Sequence, residues 1–130
     1  MINYIVHNLI NARSETIATK ISFRMPIRKK RCLILADGFY EWKAYGRSKI
    51  PHRIVMKETG KMMVFAGIWD EWVNPKGEKV ESFSVITTTP NKEMGSIHDR
   101  MPVILQTIEL QQKWLSDLPL NEVLALLKPI

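Results

Sequence analysis

The strongest constraint on the fold of this 130-residue chain is a pair of apolar stretches separated by a tight turn. Residues 62–69 form an apolar run of strand length, and residues 82–89 form a second strand-like run that ends at Pro90. Between them, residues 74–77 read NPKG, a composition typical of a turn. Two strands joined in this way predict a β-hairpin over residues 68–88.

Further elements are predicted on both sides of this hairpin. Additional strands are predicted at residues 4–10, 31–42, 53–57 and 102–105, and the second of these runs into a tight turn at Asp37 and Gly38. Helices are predicted at residues 14–21, 107–115 and 121–127, with Ser14, Thr107 and Asn121 as their N-caps. This pattern indicates an α+β fold: a sheet-rich, curved antiparallel β-sheet or barrel-like core with short flanking helices.

Residues 1–130 are expected to form a single domain. With 45% apolar and 25% charged residues, the chain has the balance of an ordinary globular domain, which excludes disordered, collagen-like and disulfide-rich classes. No apolar run reaches the roughly 18 residues that a membrane helix needs, so we expect no membrane span. The one cysteine, Cys32, cannot form an internal disulfide, which favours a reducing cytoplasm as the location.

Basic side chains are concentrated in the first half of the chain. Residues 1–60 hold twelve basic and four acidic side chains, whereas residues 61–130 hold seven basic and nine acidic ones. A basic half on a near-neutral domain is the electrostatic signature of a polyanion partner such as nucleic acid. The alternative is a solvated basic face that serves solubility, and the charge pattern alone leaves both open.

The first of three polar clusters at strand ends is residues 11–16 (NARSET). A strand delivers Asn11 and Arg13 to the start of the predicted helix, where free backbone amides and the helix dipole favour an anion. Asn11 suits a bound sugar or carbonyl, and Arg13 offers a bidentate fork to a phosphate. The alternative is a capping sequence with Ser14 as the cap and the other residues at the surface.

The second cluster is residues 36–42 (ADGFYEW). Glu41 lies between Tyr40 and Trp42, and a carboxylate in such a setting is partly desolvated, which raises its pKa and suits general acid–base work. The alternative is an exposed glutamate on the polar face of an edge strand, since Phe39, Glu41 and Lys43 alternate with the two aromatic residues.

The third cluster is residues 96–102 (SIHDRMP). His98 can exchange protons near pH 7, Asp99 can orient it or bond the backbone, and Arg100 adds a second phosphate fork. The alternative is a polar turn before a strand, with His98 in a structural role.

The sequence offers no metal or cofactor motif, and we expect neither. No set of His, Cys, Asp or Glu shows metal-ligand spacing, and neither a glycine-rich phosphate loop nor a Gly-x-Ser-x-Gly elbow is present. Cys32 lies in an apolar run, so a buried, inert thiol is favoured over a reactive one activated by Arg31.

In this order, the clusters resemble the three signatures of the SOS response-associated peptidase (SRAP) family. The matching segments are residues 11–16 (NARSET), 31–42 (RCLILADGFYEW) and 97–102 (IHDRMP). The likeness covers most of the chain, and three motifs in order with similar spacing are far more specific than any one of them.

The resemblance implies a compact, sheet-rich α+β domain with a positively charged cleft for single-stranded DNA. Members of the family attach covalently to abasic sites through an N-terminal cysteine, whose amine and thiol give first a Schiff base and then a thiazolidine. By resemblance, Asn11 would position the sugar or the N-terminal amine, Glu41 would shuttle protons, and His98 would help to open the sugar ring. Arg13 and Arg100 would hold the phosphates that flank the lesion. The family name also implies a peptidase-like removal of the leading residue.

Two features depart from the family pattern. Residue 2 is Ile2 rather than cysteine, and the segment that precedes the first motif in the family is absent from this sequence. Cys32 matches a strand position in the pattern and not the nucleophile. We therefore expect an incomplete domain that lacks the covalent step on its own.

Three functions follow, in descending order of support. The first is an SRAP-type domain whose parent protein binds abasic sites in single-stranded DNA and crosslinks to them, as a cytoplasmic monomer that joins the nucleoid when bound. The second is a non-catalytic single-stranded DNA-binding remnant. The third is a peptide hydrolase.

Overall fold

The computed structural model describes the backbone of residues 4–58 and 60–130, and the side chains of these residues from position 11 onward. The strands are β1 (Tyr4–Arg13), β2 (Arg31–Ala36), β3 (Phe39–Tyr45), β4 (Ser48–Ile54), β5 (Met63–Val73), β6 (Lys79–Thr88) and β7 (Met101–Pro102). The helices are α1 (Pro26–Lys29), α2 (Ile108–Leu115) and α3 (Leu120–Ala125). None of the helices in these described ranges has the length and apolar character needed to span a bilayer.

A mixed five-stranded sheet forms the centre of the molecule. Its strand order is β1-β6-β5-β2, with β7 also paired to β6. The predicted sheet-rich α+β architecture is confirmed, but the sheet is not wholly antiparallel, because β1 runs parallel to β6. Over the described residues it is also open, with β1 and β2 at its edges, and not a closed barrel. Apolar patterns identify strands without giving their direction, and a parallel pair needs a long connection such as the one between β1 and β6.

The hairpin predicted from the sequence is confirmed as β5 and β6. These strands pair antiparallel, with Trp72 opposite Val80 close to the turn. The side-chain carbonyl of Asn74 accepts the backbone N–H groups of Lys76 and Glu78 at 3.0 and 2.9 Å. Gly77 has a φ of 78°, which favours glycine at that position. The NPKG segment therefore forms the turn for local reasons that the sequence carries.

Both faces of the central sheet are covered, which agrees with the apolar runs in β2 and in the first part of β5. One face packs around the fully buried Trp114 of α2, whose indole N–H donates to the carbonyl of Cys32 at 2.9 Å. The other face carries a second core that includes Phe65, Val85 and Met101. The candidate site lies on this second face.

Strands β3 and β4 form a separate two-stranded sheet on the second face. Phe39 lies opposite Ile54 in its register and packs edge-on against Phe65, with ring centroids 5.9 Å apart. The predicted strand over residues 31–42 is therefore divided at the turn of residues 37–38, and the strand predicted at residues 53–57 is instead β4. Gly38 permits this division, since a Cβ there would lie 2.7 Å from the Ile54 carbonyl oxygen.

The helix predicted at residues 14–21 is wrong. This segment forms consecutive turns that bury Ile17, and the helix starts later, at Pro26. Thr16, Ile17 and Thr19 are β-branched and disfavour a helix, whereas a proline at the first helical position favours one.

Boundaries near the C-terminus also differ. Helix α2 and its Thr107 cap are confirmed, since the Thr107 hydroxyl accepts the Leu110 N–H at 3.1 Å. Helix α3 begins at Leu120 after Pro119 and has no side-chain cap, so the Asn121 cap was wrong. The strand predicted at residues 102–105 is the two-residue β7.

Candidate functional site

Glu41 lies on the covered face of the β3–β4 hairpin. Along β3, Glu41 is half-buried and faces the protein, whereas the flanking Tyr40 and Trp42 are 65% and 56% exposed. The packing of Phe39 on Phe65 places this face against the central sheet. The alternation is thus the reverse of an ordinary edge strand: the carboxylate points inward and the aromatic residues point outward.

His98 approaches Glu41 from the segment between β6 and β7. A turn closed by the His98 N–H on the Met94 carbonyl brings the imidazole to the hairpin, and Met94 itself is buried. His98 Nε2 lies 3.7 Å from Glu41 Oε2. These two residues are 57 positions apart in the chain.

The other ring nitrogen of His98 is held by its own turn. The Arg100 N–H lies 3.1 Å from Nδ1, and donation to Nδ1 leaves the hydrogen of the neutral ring on Nε2, which faces Glu41. The Arg100 carbonyl at 3.2 Å and the Asp99 carboxylate at 3.3 Å are acceptors near the same Nδ1. The turn therefore presents both a donor and acceptors to Nδ1.

Burial raises the pKa of the Glu41 carboxyl above its ordinary value. The attraction of His98 opposes this shift, and the repulsion from Asp99 adds to it. A raised pKa brings the carboxyl closer to the neutral range, where it can both give and take a proton. Of the two interpretations that the sequence left open, the structure matches the desolvated carboxyl.

Arg100 is held by protein groups and is only 14% exposed. Its guanidinium makes a bidentate pair with Glu15, at 2.8 and 2.9 Å. It also donates to the carbonyl and hydroxyl oxygens of Thr87 on β6, at 2.8 and 3.1 Å. The bond from Arg100 lowers the pKa of Glu15. The expected phosphate contact of Arg100 stays a prediction, and such a contact would share the guanidinium with Glu15.

Asn11 and Arg13 are exposed at the end of β1, on either side of the fully buried Ala12. Arg13 Nε lies 3.9 Å from Glu15 Oε2. Because side chains two residues apart share a face of a strand, Asn11 lies on the same side of β1 as Arg13. The helix N-terminus expected after them is absent, because residues 14–21 form turns; the anion site built on a helix dipole, and the capping role of Ser14, were therefore wrong.

Four of the five predicted site residues are thus joined through one series of contacts. It runs from Arg13 to Glu15, then to Arg100, and through the Arg100 backbone to His98 and Glu41. Asn11 lies two positions before Arg13 on the same strand face. Their catalytic and DNA-binding roles stay predictions.

Sequence reasoning missed two residues of this series, Glu15 and Thr87. Glu15 lies within the first motif but received no role, and its partner Arg100 is 85 positions away. Thr87 lies in an ordinary strand pattern, and no local signal distinguishes it. Only the pairing of β1 with β6 brings these groups together.

Cys32 lies half-buried on β2, and burial raises the pKa of its thiol. This matches the expected inert thiol, since a reactive cysteine needs an accessible thiolate. Among residues 4–58 and 60–130, the structure shows no group of three or more His, Cys, Asp or Glu side chains arranged to hold a metal ion.

Comparison with known proteins gives a consistent result. Residues 3–130 match the family model of the SOS response associated peptidase (SRAP). The chain is 48% identical over 111 residues to the Bacillus subtilis (strain 168) abasic site processing protein YoqW, which is 85% of this chain and 49% of that protein. It is 36% identical over 140 residues to the Gallus gallus abasic site processing protein HMCES, covering 92% of this chain and 42% of that protein.

A solved structure extends the likeness to three dimensions. A crystal structure of a protein from Bacteroides thetaiotaomicron superposes with a TM-score of 0.87 and 44% identity, covering 92% of this chain and 53% of the other. The chain spans about half the length of the curated relatives that it matches. The family match, the identities and the shared fold agree, and the chain belongs to the SOS response associated peptidase family.

Proposed function

We propose that this domain binds single-stranded DNA and acts on abasic sites, with Glu41 and His98 as its proton-transfer pair. The observation that carries the proposal is the contact of 3.7 Å between a half-buried carboxyl of raised pKa and an imidazole. A second line of support is that the curated relatives named above are abasic site processing proteins.

The chemistry of an abasic site needs such a pair. Ring opening of the sugar exposes an aldehyde, and an amine that adds to it gives a carbinolamine. Loss of one water forms the imine, and a thiol that then adds across the C=N bond closes a thiazolidine without any oxidant. A protonated Glu41 would supply the proton that the departing hydroxyl takes, and His98 would return a proton to the carboxylate or act on the sugar hydroxyl.

The neighbouring groups suit a nucleic-acid strand. Arg13 is exposed at the end of β1 and provides a fork for phosphate, and Arg100, which shares the partner Glu15 with it, is a second cation. Tyr40 and Trp42 present exposed rings on the outer face of β3, and exposed aromatic rings of this kind stack on unpaired bases. Asn11 would hold the sugar. We expect a monomer that works in the cytoplasm on nucleoid DNA.

The covalent step needs a nucleophile that we do not assign to this chain. The one cysteine of the sequence, Cys32, has a half-buried thiol with a raised pKa. For this chain alone we expect binding to the lesion without formation of a thiazolidine. Because the Cys32 thiol is half-buried and its pKa is raised, it also gives no support for peptide hydrolysis by this chain.

Binding measurements test the proposal. Fluorescence anisotropy is measured with three labelled oligonucleotides: an intact single strand, the same strand with a central abasic analogue, and a duplex. We expect the abasic strand to bind most tightly and the duplex most weakly. Arg13→Gln weakens binding to both single strands, whereas the matched control Lys76→Gln, in the exposed turn of the hairpin, leaves it unchanged.

The outcomes separate the alternatives. Equal affinity for intact and abasic strands contradicts action on the lesion and favours the non-catalytic remnant. Tighter binding to the duplex, or binding that is insensitive to Arg13→Gln, contradicts the proposed interface.

A further inference from the structure

The excess positive charge of the chain comes from one stretch of sequence. Residues 16–36 contain six basic side chains and no acidic one. The remaining residues contain thirteen of each sign, so their formal charge is zero, and the net charge of +6 is that of this stretch. In the structure the stretch covers the turns after β1, helix α1 and strand β2.

Two of the six cations are held by groups that are distant in the sequence. Lys30 forms an ion pair with Asp70 on β5 at 2.8 Å. Arg31 donates to the backbone carbonyls of Trp114 and Ser116 at 2.7 and 2.6 Å, which fastens the end of α2 to β2. Neither side chain is available to a partner without loss of these contacts.

The other four cations form a surface that we call the basic patch: Lys20, Arg24, Arg28 and Lys29. All four are exposed, and among the residues that the structure describes none of them makes an ion pair. Cations that form no ion pair leave a positive potential that a polyanion relieves.

Hydrogen bonds order the segment that carries Lys20, Arg24 and Arg28. The Arg24 N–H donates to the Lys20 carbonyl at 2.8 Å, and the Arg28 guanidinium donates to the Arg24 carbonyl at 2.6 Å. These two bonds place Lys20, Arg24 and Arg28 in succession along the segment. Ile17 and Ile27 are both fully buried and anchor the segment to the core. The backbone that carries the cations is therefore held in place.

The basic patch is continuous with the candidate site. It begins five residues after Glu15, the partner of Arg100. The Thr16 N–H donates to the Arg13 carbonyl at 3.2 Å, and the Lys20 N–H donates to the Thr16 carbonyl at 3.0 Å. Two successive backbone hydrogen bonds therefore link Lys20 to Arg13 at the end of β1.

From this arrangement we propose that the basic patch binds the phosphates of single-stranded DNA that extends beyond the candidate site. The proposal rests on the proposed function for the identity of the polymer, but its contacts are independent of the lesion. An anionic membrane is the competing partner, because Ile21 and Met25 are 82% and 54% exposed between the cations. Nucleic acid is favoured, since two apolar side chains are a small face for a lipid surface and the segment that carries the patch follows directly from Arg13.

A charge-matched pair of variants tests the proposal. The test variant is Lys20→Gln/Arg24→Gln/Lys29→Gln, which keeps Arg28 because its guanidinium holds the turn. The control variant is Lys76→Gln/Lys113→Gln/Lys128→Gln, which removes the same charge from exposed positions elsewhere. Thermal unfolding verifies that both variants fold as the parent does.

Affinity is measured by anisotropy between roughly 50 and 200 mM salt, for intact strands of about five and about twenty nucleotides. With the long strand, the test variant is expected to bind about tenfold more weakly at the lower salt concentration. The slope of log Kd against log salt is expected to fall by about 2, since each lost phosphate contact removes about 0.7 on single strands. The short strand is expected to bind all three proteins equally.

Three results overturn the proposal. The long strand binds the test variant as it binds the control, or the short strand loses as much affinity as the long one, or the test variant loses only its retention on vesicles of anionic phospholipid. The strands in this test carry no lesion. If the protein fails to distinguish abasic from intact strands, that result contradicts the proposed function and leaves the test of the basic patch unaffected.

Discussion

At the scale of single residues, the proposed function depends on how neighbouring residues change the pKa of a glutamate. Glu41 is one residue from exposed aromatic rings on both sides, yet it faces inward because Phe39 on the same strand face packs against Phe65. The sequence therefore identified the residue, whereas its burial depends on a contact between β3 and β5 that no local pattern encodes.

The pH dependence of the stability of a Glu41 variant tests whether this carboxyl is buried. Because the folded state raises the pKa of this carboxyl above 4.5, the folded protein binds more protons than the unfolded one just above that pH. The stability contribution of Glu41 therefore falls as pH rises from its unfolded pKa through its folded pKa. Relative to wild type, we expect Glu41→Gln to become more stable over this window. Urea unfolding at a series of pH values measures the difference, and a difference that is constant with pH contradicts the account.

The contribution of Glu15 to stability depends on pH in the opposite direction. Its pKa is lowered by the bond from Arg100, so its contribution to stability is present above the ordinary carboxyl pKa and is lost as pH falls through the lowered value. Glu15→Gln is expected to cost about 1 kcal/mol at neutral pH, since the pair is bidentate but Glu15 stays half exposed.

The matched control for Glu15 is Glu93→Gln. Glu93 pairs with Lys57 at 3.1 Å, but both side chains are highly exposed, so the cost is expected to stay within about 0.5 kcal/mol. Equal costs for the two variants in denaturant unfolding at neutral pH would show that the Glu15–Arg100 pair is an ordinary surface ion pair.

At the scale of elements, local signals predicted those parts whose hydrogen bonds are local. The β5–β6 hairpin was predictable because Asn74 and Gly77 make the turn by themselves, and α2 because Thr107 caps it. The helix predicted at residues 14–21 is wrong because the burial of Ile17 depends on packing against distant residues of the core, which no local pattern encodes. The segment forms turns.

Thr107 provides a direct test at this scale. Thr107→Ala is expected to lower the free energy of unfolding by about 1 kcal/mol, because the Leu110 N–H loses its acceptor at the start of α2. Thr107→Ser keeps the hydroxyl and is expected to recover most of the loss. If serine and alanine are equally destabilising in urea unfolding, the cap is not the cause.

At the scale of the whole molecule, the site is assembled by long-range topology. The parallel pairing of β1 with β6 brings the end of β1 beside Thr87, and Arg100 then joins Thr87 to Glu15. The residue types of the site were predictable from its three motifs. The Glu15–Arg100 pair and the direction of β1 were not, because both depend on contacts between distant parts of the chain.

The proposed function assigns proton transfer at an abasic site to Glu41 and His98. The most direct measurement uses a chimera in which this chain replaces the matching segment of YoqW, to which it is 48% identical over 111 residues. The chimera is mixed with single-stranded DNA that carries an abasic site, and the heat-stable adduct is followed over time on denaturing gels.

We expect the chimera to form the adduct and Glu41→Gln in the chimera to slow it roughly hundredfold, the scale of a lost general acid–base group. His98→Gln is expected to slow it as well, and the exposed control Glu93→Gln is expected to match the parent chimera. An adduct that forms at the parental rate in the Glu41→Gln chimera would contradict the proposed role of Glu41.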